Sequence, residues 1–454
     1  MQKKHGIAKI KEETGKMNVR EVALRLLCEY EADGKFVNLS LSSHLTDKLT
    51  HDERSFLTVL LYTTVENKLK YDYFISAISG RSIDEIKPHT REILRLGLCQ
   101  IVDVRSVPDY AAVNETVKLS SSPSERSFIN GVLRAAVRKK EANELPLPNK
   151  NKKRLRHLSV KYSIPLGIVK LFSAELGDSG LEELLASFNA EKHTDLTVNT
   201  NKISPEAFAR LLGTAGYKAE PSPLSHISLR IASSVDPRSL PGFAEGLFFV
   251  QDTASAVCAQ VLGARCGDLV VDACAAPGGK SFAVAILTGD KADIHSFDLH
   301  ESKLSLIKSG AERLELTSVK AGALDALHPQ EELIGRADRV ICDAPCSGLG
   351  VMGKKPDLRY SAEERTKELP ELQYSILKAS ARYLKRGGRM VYSTCTLSNA
   401  ENRGVVDRFL SENPDFSLIP FTVGDMLTTG DLTLLPSVHG TDGFYIALLE
   451  KAKD

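Results

Sequence analysis

At 454 residues the chain exceeds what a single hydrophobic core supports, so two or three domains are expected. Its composition is that of a soluble globular protein, and no window reaches the roughly 18 uninterrupted apolar residues of a membrane span, so a cytoplasmic protein without membrane contact is expected. The net charge of +1 conceals an asymmetry: residues 1–170 hold 30 Lys and Arg against 20 Asp and Glu, the remainder 29 against 38, and a basic N-terminal side suits nucleic acid.

Asn18-Val-Arg-Glu21 has the form of a helix N-terminus, with Asn18 as cap and Glu21 reaching back. Val19, Val22, Ala23, Leu26 and Leu27 follow at helical spacing, and similar patterns recur over Phe56–Tyr73, Ile93–Val104 and Ser127–Arg138. Residues 1–140 are therefore read as an all-α module. Residues 141–157, with two prolines, three asparagines and a run of Lys and Arg, have the composition of a basic surface linker. Residues 158–244 mix a helical segment, Leu166–Leu176, with strand-like runs at Asp195–Val198 and Ser228–Ala232, as in a small α+β subdomain. Over 245–454, short apolar runs at Leu269–Val271, Ile294–Phe297, Ser318–Ala321, Val340–Cys342 and Met390–Tyr392 alternate with helical segments such as Leu304–Leu314 and Leu372–Leu384. That alternation predicts an α/β doubly wound sheet, whose ligands bind beyond the carboxyl ends of the strands.

The segment after the first of these strands, Asp272-Ala-Cys-Ala-Ala-Pro-Gly-Gly-Lys-Ser281, is a glycine-containing turn opening a helix. A dinucleotide would call for G-x-G-x-x-G, which is absent, and a P-loop for a glycine at position 274, which is cysteine; a nucleoside cofactor is the better reading. Asp298 follows the second strand, where a carboxylate accepts from ribose hydroxyls, and Asp325 follows the third, within reach of an adenine edge; either acid could instead cap a helix. Of eight cysteines, with no metal-type spacing, Cys28, Cys99, Cys258 and Cys266 are expected to be small core hydrophobes. Cys346, in Asp343-Ala-Pro-Cys346, and Cys395, in Ser393-Thr-Cys395, fall instead at the carboxyl ends of neighbouring strands.

Together the motifs Cys274–Lys280 (CAAPGGK), Asp343–Gly350 (DAPCSGLG) and Ser393–Cys395 (STC) resemble the RsmB/NOP family of RNA cytosine-5 methyltransferases, supported by Phe249-Val-Gln-Asp252 and Gly440-Thr-Asp-Gly-Phe444. Residues 1–140 are similar to a NusB-like RNA-binding domain, most visibly at Phe128–Arg134. The resemblance implies a Rossmann-like class I methyltransferase domain, with RNA binding by the helical domain and the small subdomain. S-adenosyl-L-methionine is then the methyl donor, without a metal, and the partner is 16S ribosomal RNA or the assembling small subunit, met by a monomer. It implies that Cys274, Ala275, Ala276, Pro277, Gly278, Gly279, Lys280, Asp298, Asp325 and Asp343 surround the cofactor, with Asp343 and Lys280 also placed to meet the target base.

The chemistry explains why there are two thiols. Carbon 5 of cytosine accepts a methyl group only after a nucleophile adds at carbon 6, and the proton on carbon 5 must then leave; a thiolate suits the first step and a second group the last. The residues alone leave the order open, since DNA cytosine-5 methyltransferases attack with the cysteine of a Pro-Cys motif. The family resemblance implies Cys395 as nucleophile and Cys346 as release assistant. Thr197, where the family often has arginine, the absence of tryptophan, and Gly353-Lys-Lys-Pro-Asp357 depart from the family pattern at positions expected to touch RNA. An amino-directed methyltransferase would need an aromatic residue after the fourth-strand Asp-Ala-Pro, and Cys346 stands there.

Overall fold

The structure, a computed structural model, describes residues 18–33 and 49–453, and of 362–366 only the backbone; the charged start of the chain lies outside the described residues. It divides into two compact units, Met1–Ser163 and Ile164–Asp454.

The first unit is helical: α1 (Val19–Asp33), α2 (His51–Glu66), α3 (Lys68–Ser79), α4 (Pro88–Val102), α5 (Asp109–Lys118), α6 (Pro123–Glu141) and α7 (Arg154–Tyr162). Asn18 caps α1, its Oδ1 accepting the Arg20 N–H at 3.0 Å. Thr50 and Glu53 form a capping box at α2. The stretch predicted as one helical pattern over Phe56–Tyr73 is two helices that break at Asn67. Proline opens α4, which runs through the middle of the bundle with Ile93, Leu94, Leu96 and Leu98 fully buried. A Cβ at Gly97 would lie 2.8 Å from the Leu133 side chain, so glycine lets α4 approach α6. The basic stretch after α6 is free of helix only as far as Lys153, because α7 begins at Arg154.

The second unit begins with α8 (Leu166–Leu176) and α9 (Leu181–Ser187). An antiparallel sheet follows, ordered β2 (Ala219–Pro221), β3 (Ser228–Ile231), β1 (Thr194–Val198), β4 (Phe248–Val250), with α10 (Pro205–Thr214) against it. Then comes the doubly wound sheet: β5 (Leu269–Asp272), β6 (Asp293–Asp298), β7 (Val319–Ala323), β8 (Ala337–Asp343) and β9 (Leu384–Thr394) are parallel. The long β14 (Phe444–Lys451) pairs antiparallel with β9, giving the order β10-β14-β9-β8-β5-β6-β7, where β10 is Phe416–Leu418; β13 (Asp431–Leu434) also pairs with β14. A hairpin of β11 (Thr422–Val423) and β12 (Met426–Leu427) stands apart.

Alternate strand residues serve opposite cores, as the two-residue side-chain period requires. Val270, Ile294, Ile341, Val391 and Ile446 pack with α11 (Thr253–Leu262), α12 (Gly279–Leu287) and α13 (Glu301–Leu314). Val271, Val340, Met390, Tyr392 and Tyr445 pack with α14 (Leu358–Ala381) and α15 (Arg403–Glu412). Leu384, predicted as the end of a helix, instead starts β9. The chain reverses its winding between β5 and β8, so the crevice of this sheet opens where the segments after those two strands diverge.

Candidate active site

The segment after β5 is pinned to both neighbouring strands: Ala273 N–H donates to Ile341 O at 3.0 Å and Ala275 N–H to Phe297 O at 2.7 Å. Gly278 turns it into α12 with φ 110°, and a Cβ there would lie 2.4 Å from the Phe282 ring. Because α12 opens at Gly279, its first N–H groups have no acceptor within the helix and stand at the carboxyl edge of the sheet. Asp272, the last residue of β5, takes the Ser281 hydroxyl at 2.7 Å, and burial pushes its carboxyl up to about 7.

Asp298 ends β6 and accepts Ala276 N–H at 3.3 Å on one oxygen and His300 N–H at 3.0 Å on the other. A carboxylate has about four acceptor sites, so each oxygen retains capacity for a hydroxyl. Asp325 is engaged within its own turn, with Leu327 N–H at 3.0 Å and His328 Nε2 at 3.9 Å, and 39% of its side chain is exposed. The structure thus joins Asp298 to the glycine turn and leaves Asp325 at the rim.

Asp343 ends β8. Its two oxygens accept from Lys280 Nζ at 2.6 Å and Ser393 Oγ at 2.7 Å, and the Lys280 ammonium also lies 5.1 Å from the centre of the Phe444 ring. Burial works against that ammonium, but Asp343, together with Cys258 and Asp272, outweighs it and holds Lys280 above the usual lysine range.

Beyond β8 and β9, Cys346 Sγ and Cys395 Sγ are 3.2 Å apart. The backbone beneath them is tightly tied: Gly350 N–H donates to Cys395 O at 3.0 Å, and Gly443 N–H to Gly350 O at 2.9 Å. The hydrogen bond from Cys346 pulls the Cys395 thiol below its ordinary value, helped by Lys280 and Lys355. The same bond, then burial, pushes Cys346 well up, and the carboxylates of Glu401 and Asp343 add to the rise. Of the four expected core cysteines, Cys99 and Cys258 are buried and Cys28 is partly so, but Cys266 is exposed in the turn before β5.

Two positions expected to touch RNA do other work. Thr197 is fully buried in β1 and donates to Gln251 Oε1 at 2.9 Å; the Gln251 amide in turn abuts Gly279, where a Cβ would lie 3.1 Å from it. Lys354 pairs with Asp252 at 2.6 Å and Asp442 at 3.1 Å, joining the segment before α11 to the one before β14. Among the described residues, His193, Asp195 and Asp252 bring ligand-type atoms within 4.8 Å of one another, but Arg230 and Lys354 already neutralise the two carboxylates. Residue patterns gave no role to Gln251, Ser393, Phe444 or Glu401, because a buried polar contact between distant segments leaves no periodic trace in sequence.

Residues 259–450 match the family model described as 16S rRNA methyltransferase RsmB/F, and residues 17–138 match the NusB family. A probable ribosomal RNA small subunit methyltransferase B of Bacillus subtilis is 33% identical over 96% of this chain and 99% of its own length. The corresponding Synechocystis protein is 34% identical over 96% of this chain and 100% of its own. Among solved structures, the protein crystallised as PH0851 superposes with a TM-score of 0.76 at 27% identity, covering 97% of this chain and all of that one. A methyltransferase homologue from Pyrococcus horikoshii reaches a TM-score of 0.57 at 26% identity, over 66% of this chain and 99% of its own. Whole-length similarity and both domain matches place the chain in the 16S rRNA methyltransferase RsmB/F family, with an all-α NusB domain ahead of a Rossmann-like methyltransferase domain.

Proposed function

We propose that this protein methylates carbon 5 of a cytosine in 16S ribosomal RNA through a covalent adduct between Cys395 and carbon 6 of the base. The observation that carries the reading is the 3.2 Å contact of two thiols beyond adjacent parallel strands, beside the ion pair of a buried Lys280 with the partly exposed Asp343. A single reactive thiol would serve many reactions; two in contact suit one that needs both an attacking sulfur and a proton acceptor.

The surroundings support the order of roles. The hydrogen bond from Cys346, aided by Lys280 and Lys355 and opposed by burial and Asp343, favours the thiolate form at Cys395, and Glu401 adds to the hold on the Cys346 proton. Attack forms the bond from Cys395 Sγ to carbon 6 and moves an electron pair into the ring, where the Lys280 ammonium is positioned to meet the charge. S-adenosyl-L-methionine, when bound, supplies the methyl group that carbon 5 takes. Bonding to carbon consumes the negative charge on Cys395, so the hydrogen bond that kept a proton on Cys346 is lost. Cys346 then gives its own proton to solvent, its thiolate takes the proton from carbon 5, and Cys395 leaves carbon 6 as a thiolate as the ring double bond re-forms.

The segment from Cys274 through Ala275, Ala276, Pro277, Gly278 and Gly279 to Lys280 fits the methyl donor, because the N-terminus of α12 offers N–H groups where Asp298 offers acceptor capacity to a ribose diol. Asp343 would meet the base or the donor, and Asp325, at the rim, would be the outermost contact. The substrate assignment is supported by what the similar proteins are described as doing. A base must leave its stack to reach such a pocket, which favours a loop cytosine.

Two variants test the roles: Cys395→Ala abolishes methyl transfer, and Cys346→Ala accumulates protein on RNA as a band that survives denaturing electrophoresis. An absent band for Cys346→Ala refutes the assignment of roles. Bisulfite sequencing of 16S ribosomal RNA from cells lacking the protein is expected to show one lost methylcytosine, and an unchanged pattern refutes the substrate.

A further inference from the structure

Glu401 lies in the turn before α15 with its side chain fully buried. One carboxylate oxygen accepts the Ser347 backbone N–H at 2.8 Å and Gln373 Nε2 at 2.9 Å. The other accepts Ser347 Oγ at 2.5 Å and, more distantly, Thr396 Oγ1 at 3.4 Å. The two hydroxyls are 2.8 Å from each other, and Gln373 Nε2 also donates to Pro345 O at 2.9 Å. Ser347 directly follows Cys346 and Thr396 directly follows Cys395, so one carboxylate gathers the residues behind both sulfurs.

No lysine or arginine forms an ion pair with Glu401 among the described residues, and every hydrogen-bond partner of its carboxylate is a donor. A buried charge held without a cation is costly and persists only where it is fully hydrogen-bonded. The Tyr392 hydroxyl, donating to Glu401 O at 2.6 Å, fixes the backbone of the same residue to β9. An amide could keep the arrangement, its oxygen taking the Ser347 N–H and Gln373 Nε2 while its NH2 donates to the two hydroxyls, so only removal of the whole group, as in Glu401→Ala, takes the brace away.

We propose that Glu401 is a positioning residue that sets the spacing of Cys346 and Cys395 and through it the rate of adduct formation. The proposal rests on the two-thiol reading above. The Glu401 side chain is fully enclosed by protein and offers no surface to a ligand, so its loss should slow the covalent step and leave substrate affinities alone.

The test uses the full-length chain with an RNA carrying 5-fluorocytosine at the target, whose carbon 5 has no proton to give up, so that the adduct persists. Glu401→Ala is expected to slow single-turnover adduct formation about 100-fold, as when reacting groups shift by about an ångström, with KM for RNA and for S-adenosyl-L-methionine within about twofold of wild type. Ser347→Ala, which keeps the backbone arm of the brace, is expected to slow it about 10-fold and serves if Glu401→Ala fails to fold. Wild-type rates in either variant overturn the proposal, as does a loss carried entirely by raised KM. A wild-type protein that forms no adduct at all overturns the two-thiol reading, and the brace with it.

Discussion

Cys346 and Cys395 are the same residue type 3.2 Å apart, so only their surroundings can give them different work. The hydrogen bond from Cys346, with Lys280 and Lys355, draws the thiolate toward Cys395 against burial and Asp343, while that same bond, burial and Glu401 keep the proton on Cys346. The sign of the resulting pH dependence follows directly. A thiol below its ordinary value is ionised at lower pH, so the rate of Cys395 alkylation by iodoacetamide should rise to half its plateau below the ordinary cysteine midpoint of 9.0. Cys346→Ala removes the hydrogen-bond donor and should move that midpoint upward; identical midpoints for wild type and variant would refute the shared-proton account. The pair was legible in sequence as two cysteines after neighbouring strands, because strand ends can be counted from apolar runs. The asymmetry around them was not, because Lys280, Lys355 and Glu401 come from three distant stretches. Asp325 illustrates the same limit: its place after a strand was readable, but its bonds within its own turn depend on the path of residues 324–328.

At the scale of elements, the parallel strands were readable because both their faces are buried, which leaves continuous apolar runs. β7 gave the faintest pattern, as befits an edge strand whose residues are only partly covered. β14 is absent from the expected strands although its residues from Phe444 to Leu449 are buried, because the Gly440–Phe444 stretch counts there only as a family motif. That segment instead supports the site through packing. Gly350 and Gly443 cross so closely that a Cβ on Gly350 would lie 1.9 Å from Gly443 O, and Gly350 N–H holds the Cys395 carbonyl. Gly350→Ala must therefore push apart the segments that carry the two motifs. Overpacking of this kind costs about 1–3 kcal/mol, so the variant should unfold at measurably lower denaturant concentration. Because the displaced backbone is that of the nucleophile, kcat should fall by more than KM rises. A Gly350→Ala protein with wild-type stability and turnover would show that the crossing carries neither load.

Across the whole molecule, charge divides more sharply than composition does: +10 over residues 1–170 and −9 over the rest. An acidic methyltransferase unit is poorly suited to hold a polyanion by itself, so the basic unit is expected to supply most of the phosphate contacts. Within it the stretch from the end of α6 into the first turn of α7 stands out, with Lys152, Lys153 and Arg156 exposed to solvent. Cations that meet phosphates release condensed counterions, and each contact steepens the fall of log K against log salt by about 0.7 for single strands and about 0.9 for duplex. Reversing the three charges, Lys152→Glu, Lys153→Glu and Arg156→Glu, should weaken RNA binding and flatten that slope by about 2 to 3. At saturating RNA the methylation rate should stay near wild type, because none of the three belongs to the unit that holds Cys346 and Cys395. Fluorescence anisotropy across a salt series measures the slope directly. An unchanged slope would move the phosphate contacts to another face, and a lost rate at saturation would mean that this stretch orients the RNA as well as attracting it.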